Sequence, residues 1–238
     1  KKKIIAMLAI AAVAFTGCGQ NDTAVESNEN VIKIGSIFPL TGQYSNYGQS
    51  TVNGMQMAID KINEDGGIKG KTLALESLDD KGELTDSVTS YHNLVEQGAQ
   101  AIVGTSTSNP SLAIAEASLA DGIPVITPTG TEESITEGKA NVFRTCFTNP
   151  YQGELLAIFA KDKLQAKTAA ILVNSTSDYS TGIAEAFEKK AAELGIELVA
   201  KESYGENDTD FKAQLTSISG HKPDVLLLPE YYEKLALI

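Results

Sequence analysis

From Val31 onward, short apolar β-branched runs alternate with longer segments whose apolar residues recur every three or four positions. That alternation constrains the fold more than any other feature of the chain. Val31 to Phe38 (VIKIGSIF) predicts a buried strand. Val52, Met55, Ile59 and Ile62 then mark one face of a helix, which Gly66-Gly67 should stop because glycine enters the left-handed conformation cheaply. The same grammar predicts strands over 73–78, 101–104, 123–127 and 141–146. Helices fall between them, carried by Leu84, Val88, Tyr91 and Val95 and by Leu112, Ala115 and Leu119. A second series follows, with helices over 152–164, 183–194 and 210–219 and strands over 168–173, 196–203 and 224–228. Strands joined through helices of this length make right-handed βαβ units and parallel sheets. An α/β fold of two doubly wound lobes is expected, over residues 31–148 and 149–238, with a crossover near Thr148–Tyr151. Three strands leave sheet faces and an edge to cover, so the second lobe is expected to be incomplete in this chain. The lack of an initiator Met suggests trimming at the other end.

Residues 1–30 stand outside this pattern. Lys1-Lys2-Lys3, the apolar run Ile4 to Phe15 and the small residues Thr16-Gly17 read as an export signal. The run is too short to span a bilayer comfortably. Phe15-Thr16-Gly17-Cys18 resembles the bacterial lipobox, in which Cys18 would become the lipid-modified first residue; Phe15 replaces the usual Leu. A plain secretory signal with an incidental Cys is the alternative. The polar stretch 19–30 (GQNDTAVESNEN) reads as a flexible tether, which favours the lipid anchor.

Charge and residue counts exclude several classes. A composition 42% hydrophobic and 21% charged is neither collagen-like nor disordered. A net charge of -12 opposes nucleic-acid binding. With two His and two Cys in all, no CxxC and no HExxH, neither a metal site nor a His-dependent triad is expected. Residues 65–72 (DGGIKGKT) nearly spell a phosphate-binding loop, but Asp65 stands where its first Gly belongs, and the segment follows a helix instead of a strand. GxSxG and a strand-following GxGxxG are both missing. Asp79-Asp80 could be paired carboxylates; a solvated turn at a strand end is the simpler reading.

Two hydroxyl-rich segments remain. Thr105-Ser106-Thr107-Ser108 joins a strand to a helix start, where free N–H groups suit a carboxylate. Thr127-Pro128-Thr129-Gly130-Thr131 leaves the next strand with small residues that let backbone approach a ligand. Either segment alone could be simple helix capping. Two such exits from adjacent strands favour an anion site beyond the carboxyl ends of the sheet.

A wider set of motifs resembles one family. Ile34-Gly35, Pro39-Leu40-Thr41-Gly42, Tyr47-Gly48, Asn53-Gly54, Gly66-Gly67-Ile68, Asp79-Asp80, Val103-Gly104, Gly122-Ile123-Pro124, Asn141 to Thr145, Asp178-Tyr179, Asp208 to Phe211 and Tyr231-Tyr232 look like the type I solute-binding proteins of ABC importers, in the branched-chain amino acid (Leu/Ile/Val) branch. The resemblance implies two Rossmann-like lobes that close on a ligand held between them. It implies that Ser108 holds the ligand α-carboxylate and that Thr129, Gly130 and Thr131 bind carboxylate and ammonium. Tyr47 would line the side-chain pocket, with Tyr179 and Tyr231 closing over it from the second lobe. The family's acidic partner of the ligand ammonium would lie beyond residue 238. Gly82 and Thr107 stand where the family member of closest register has a disulfide. Cys146 is then expected to be a buried thiol in an apolar strand.

The resulting expectation is a monomeric, non-enzymatic, cofactor-free extracytoplasmic receptor. It would be anchored to the membrane by lipid on Cys18, and would deliver an amino acid, branched-chain or otherwise aliphatic, to the membrane permease subunits of an ABC importer by domain closure. A ligand-sensing regulatory module of the same fold, or a receptor for another small carboxylate, is the alternative.

Overall fold

In the computed structural model, which describes residues 30–238, the run predicted as the first strand is β1 (Val31–Phe38), near the middle of an all-parallel sheet. Its neighbours are β2 (Thr72–Asp79) and β3 (Ala101–Gly104), followed by β4 (Val125–Thr127) and β5 (Val142–Arg144), in the order β2-β1-β3-β4-β5. The last four residues of β1 are buried because strands flank both its edges and side chains cover both its faces. Helices α1 (Ser45–Glu64), α2 (Leu84–Glu96) and α3 (Ser108–Asp121) make the crossovers. The main core of this sheet joins Ile37, Tyr91, Leu94, Ile102, Ile114 and Val125. Gly66 and Gly67 end α1 at φ 98° and 73°, as their sequence position predicts. Burial on α1 is lighter than its periodicity suggests: Ile59 is buried, but Ile62 is exposed.

Helix α4 (Asn149–Asp162) opens the second series at the predicted crossover. It leads into β6 (Thr168–Asn174), α5 (Asp178–Glu193), β7 (Glu197–Tyr204), α6 (Lys212–His221), β8 (Val225–Leu227) and the short α7 (Tyr232–Leu235). The second sheet is parallel, in the order β7-β6-β8. Its central strand shows period-2 burial. Ala169, Ile171 and Val173 join one core with Ala157, Ala184 and Phe187 of α4 and α5, whereas Ala170 and Leu172 join another with Tyr204, Phe211 and Ile218. α4 and α5 meet closely at Gly153, where a Cβ would lie 2.5 Å from the Ile183 carbonyl oxygen. The outer face of α4 leaves Tyr151, Leu155 and Phe159 about half exposed. Val31–Ile238 forms one compact unit. The leader, the tether up to residue 29 and Cys18 lie outside the described residues.

Asp79 and Asp80 are neither a catalytic pair nor a solvated turn. Asp79 accepts from Leu40 N at 2.8 Å and Thr41 Oγ1 at 2.5 Å, tying the β1 exit loop to β2. Asp80 is fully buried and accepts from Gly82 N and Ser87 Oγ, both at 2.9 Å. Burial pushes the Asp80 carboxyl above its ordinary range. On Asp79 burial pulls the same way, but the hydrogen bonds from Thr41, Lys81 and Leu40 outweigh it and hold the carboxyl low.

Candidate functional site

In a parallel sheet, crevices open where strand order reverses. The first sheet reverses between β1 and β3, and the second between β6 and β8. The loops leaving these four strands meet. Asn109, in the first turn of α3, donates from Nδ2 to the Thr176 carbonyl at 3.2 Å and accepts from Asp178 N at 3.1 Å. Tyr232 OH donates to the Gln43 carbonyl at 2.7 Å. Both switch points thus face one cleft.

Hydroxyls build the wall belonging to the first sheet. Thr105 Oγ1 meets Ser111 Oγ at 3.0 Å, Ser111 Oγ meets Thr127 Oγ1 at 3.2 Å, and Gly130 N donates to Thr127 Oγ1 at 2.8 Å. This buried network ties the β3 and β4 exits together, and Thr129 Oγ1 adds a 2.7 Å bond to the Ser106 carbonyl. Any side chain at 130 would crowd this network, since a Cβ there would lie 2.7 Å from Thr127 Oγ1 and 2.8 Å from Ser111 Oγ. Arg144, at the end of β5, fixes the loop beyond by donating to the carbonyls of Gly130 at 3.0 Å and Glu132 at 2.6 Å. Capping does not account for these hydroxyls. The N-cap of α3 is Thr107, and its side chain makes no cap bond. The Ser108 N–H instead faces the phenol oxygen of Tyr231, which arrives from the second sheet.

The opposite wall is aromatic. Tyr179 and Tyr231 stack with ring centroids 4.6 Å apart at 14°, and Tyr47 approaches Tyr231 edge-on at 6.3 Å. Glu230 aims Tyr231: one carboxylate oxygen accepts from the Tyr231 backbone N–H at 2.8 Å, and the other accepts from Tyr204 OH and from Asn174 Nδ2. Burial raises the phenol pKa values of Tyr179 and Tyr231, with smaller upward contributions from each other or nearby tyrosines and from Glu230, so both rings stay neutral.

Between the walls lies a chamber of about 270 Å³ lined by Tyr47, Ser106, Thr129, Thr131, Cys146, Phe147, Gln152, Tyr179 and Tyr231. Among the described residues no carboxylate lines it and no group of acidic, His or Cys side chains could hold a metal ion. Five of the seven sequence-derived ligand positions, Tyr47, Thr129, Thr131, Tyr179 and Tyr231, therefore share one chamber. Ser108 and Gly130 lie just behind the lining; Ser108 Oγ is 3.5 Å from Thr131 Oγ1. Two expectations need correction. Tyr179, left outside the helix expected over 183–194, sits in the first turn of α5, because Ser177 caps that helix early by accepting from Ser180 N. Cys146 is not a core-strand thiol: β5 stops at Arg144, and the half-buried Cys146 borders the chamber with Sγ 3.4 Å from the Gly130 carbonyl. Sequence reasoning missed Ser106 as a lining group, and also Gln152, Phe147, Asn109 and Glu230. Ser106 lay within the singled-out hydroxyl run. The other four carry no local signal, because their long-range partners are 26 to 69 residues away or belong to the opposite wall.

A sequence profile of the periplasmic binding protein family matches residues 31–230. That family consists of solute binders, not enzymes. The Leu/Ile/Val-binding protein BraC3 of Rhizobium johnstonii is 33% identical over 237 residues, 99% of this chain and 62% of that protein. Among solved structures, the leucine-binding protein LivK of Thermotoga maritima superposes with a TM-score of 0.81 at 32% identity, over 87% of this chain and 58% of that one. The branched-chain amino acid transporter substrate-binding protein LivJ of Streptococcus pneumoniae, in complex with isoleucine, gives 0.81 at 33% identity, over 87% of this chain and 59% of that one. This chain spans about three-fifths of the length of these relatives.

Proposed function

The chain belongs to the periplasmic binding protein family, and on that premise we propose that it is the extracytoplasmic receptor of an ABC importer for a small amino acid, branched-chain or otherwise aliphatic. The observation that carries the reading is the chamber itself. It lies where the switch points of two parallel sheets meet, with a hydroxyl-rich wall opposite stacked tyrosines. Such a wall complements a carboxylate, and the rings complement a short apolar side chain. In this reading Ser108 and Thr131 hold the carboxylate, and Thr129 and the backbone at Gly130 take the ammonium. Tyr47, Tyr179 and Tyr231 enclose the side chain. Binding favours the closed arrangement because only there does the ligand touch both walls. A permease would read that closure. Lipid on Cys18 would hold the receptor at the membrane surface.

A thermal-shift screen of the full-length protein against the twenty amino acids tests the proposal. One or a few aliphatic amino acids should raise Tm, by an amount that grows with ligand concentration. A flat response to all twenty would refute it.

A further inference from the structure

Ser106 borders the chamber, is 7% exposed, and its Oγ has no hydrogen-bond partner. Its polar neighbours are engaged already. Thr129 Oγ1 donates to the Ser106 carbonyl at 2.7 Å, Cys146 Sγ to the Gly130 carbonyl at 3.4 Å, and Gln152 Nε2 to Tyr179 OH at 3.2 Å. Thr131 Oγ1 has Ser108 Oγ at 3.5 Å. Among the described residues one other buried side-chain atom shares the condition of Ser106 Oγ. That atom is Asn149 Oδ1, whose residue does not line the chamber.

A buried hydroxyl with no partner is costly; Ser106 Oγ is already out of reach of water, and an apolar ligand side chain would leave it unpaired. A hydroxyl can both donate and accept, so a ligand hydroxyl could satisfy it in either sense. We propose that Ser106 makes the side-chain end of this chamber selective for a hydroxyl-bearing amino acid, so that threonine is preferred to its near-isostere valine. The inference rests on the amino-acid-receptor reading and adds a hydroxyl to the short branched side chain that reading expects. The two ligands have the same branched shape, so the aromatic walls treat them alike. What separates them is the one hydroxyl whose partner Ser106 would be. A site with an unspent polar group rejects the analogue that cannot pair with it. One neutral hydrogen bond corresponds to about a five- to tenfold difference in Kd.

Titration calorimetry of the full-length protein and of Ser106→Ala with L-threonine and L-valine decides the matter. The wild type should bind threonine about five- to tenfold more tightly than valine, and Ser106→Ala should abolish that preference while still binding valine. Valine bound as tightly as threonine by the wild type, or a threonine preference that survives in Ser106→Ala, would overturn the inference and leave the receptor reading standing. Failure of the folded wild type to bind either ligand, together with a flat response to all twenty amino acids, would overturn the receptor reading and this inference with it. Circular dichroism melts of both proteins confirm that folded material is compared.

Discussion

Replacing Ser108 by alanine separates ligand binding from structural support, because the geometry gives the two roles different magnitudes. Ser108 is the first residue of α3 and not its cap, and its Oγ has one side-chain partner, Thr131 Oγ1, at the long distance of 3.5 Å. Loss of so weak a contact should cost no more than about 1 kcal/mol of stability. If the same hydroxyl holds a ligand carboxylate, its removal should cost about 1.5–3 kcal/mol of binding free energy, or about ten- to a hundredfold in Kd. The effect is also visible in melts. A ligand at about a hundred times Kd stabilises the wild type by about 2.7 kcal/mol, and a tenfold weaker mutant at the same concentration gains only about 1.4 kcal/mol. Titration calorimetry would give the affinity, and urea denaturation with and without ligand would give both stabilities. A mutant that loses stability but binds with wild-type affinity would show that Ser108 is only a packing residue, and the proposed carboxylate site would fall with it.

Three further outcomes follow from the same structure, and a fourth from the sequence of the first thirty residues. Gly130→Ala should destabilise the protein by about 1–3 kcal/mol through overpacking against Thr127, Ser111 and Ile135; an unchanged urea midpoint would mean that the loop yields freely. Asp80 has a folded-state pKa raised by burial above 3.8, so the native state binds more protons there than the unfolded chain. Stability from this group should therefore fall as pH rises from 3.8 through the raised value. Urea midpoints of the wild type relative to Asp80→Asn, followed across that interval, should show the decline, and a rise would contradict the sign. Burial raises the Cys146 thiol, with Arg144 partly opposing it, so alkylation by iodoacetamide at neutral pH should be slow and should slow further with bound ligand; peptide mass spectrometry showing no ligand protection would move the ligand out of the chamber. Cys18→Ser should shift the protein from the membrane fraction to the soluble extracytoplasmic fraction, and unaltered membrane association would remove the lipid-anchor reading.

How much of the site was legible in the sequence depended on how local its causes are. The hydroxyl runs after β3 and β4 stood out because seven of the nine residues in them are Ser or Thr at strand exits. Their division of labour did not. Thr105, Ser111 and Thr127 are spent on one another, Thr129 on the Ser106 carbonyl, and Ser106 Oγ on nothing. Any of these hydroxyls could have been the free one, because composition is identical in every arrangement and only packing assigns partners. Glu230 illustrates the same limit from the other wall. It follows Pro229 in an unremarkable strand exit, yet it is the carboxylate that orients Tyr231, through partners 26 and 56 residues earlier in the chain.

The sequence by itself determined the order and type of the elements, because strand and helix periodicity, and glycines such as Gly66 and Gly67 at helix ends, act within a few residues. It also picked out loops whose residues line the chamber, since parallel βαβ units send every strand exit to the same edge of their sheet. Tertiary structure alone decided that the two sheets turn their switch points towards each other. It likewise decided that Asn109 bridges to Thr176 and Asp178, and that the Tyr179–Tyr231 stack closes over Ser106 and Thr131. Those contacts join residues 48 to 125 positions apart in the chain. Their free energy comes from complementary surfaces that exist only after each sheet has formed, so no local pattern in the sequence encodes them.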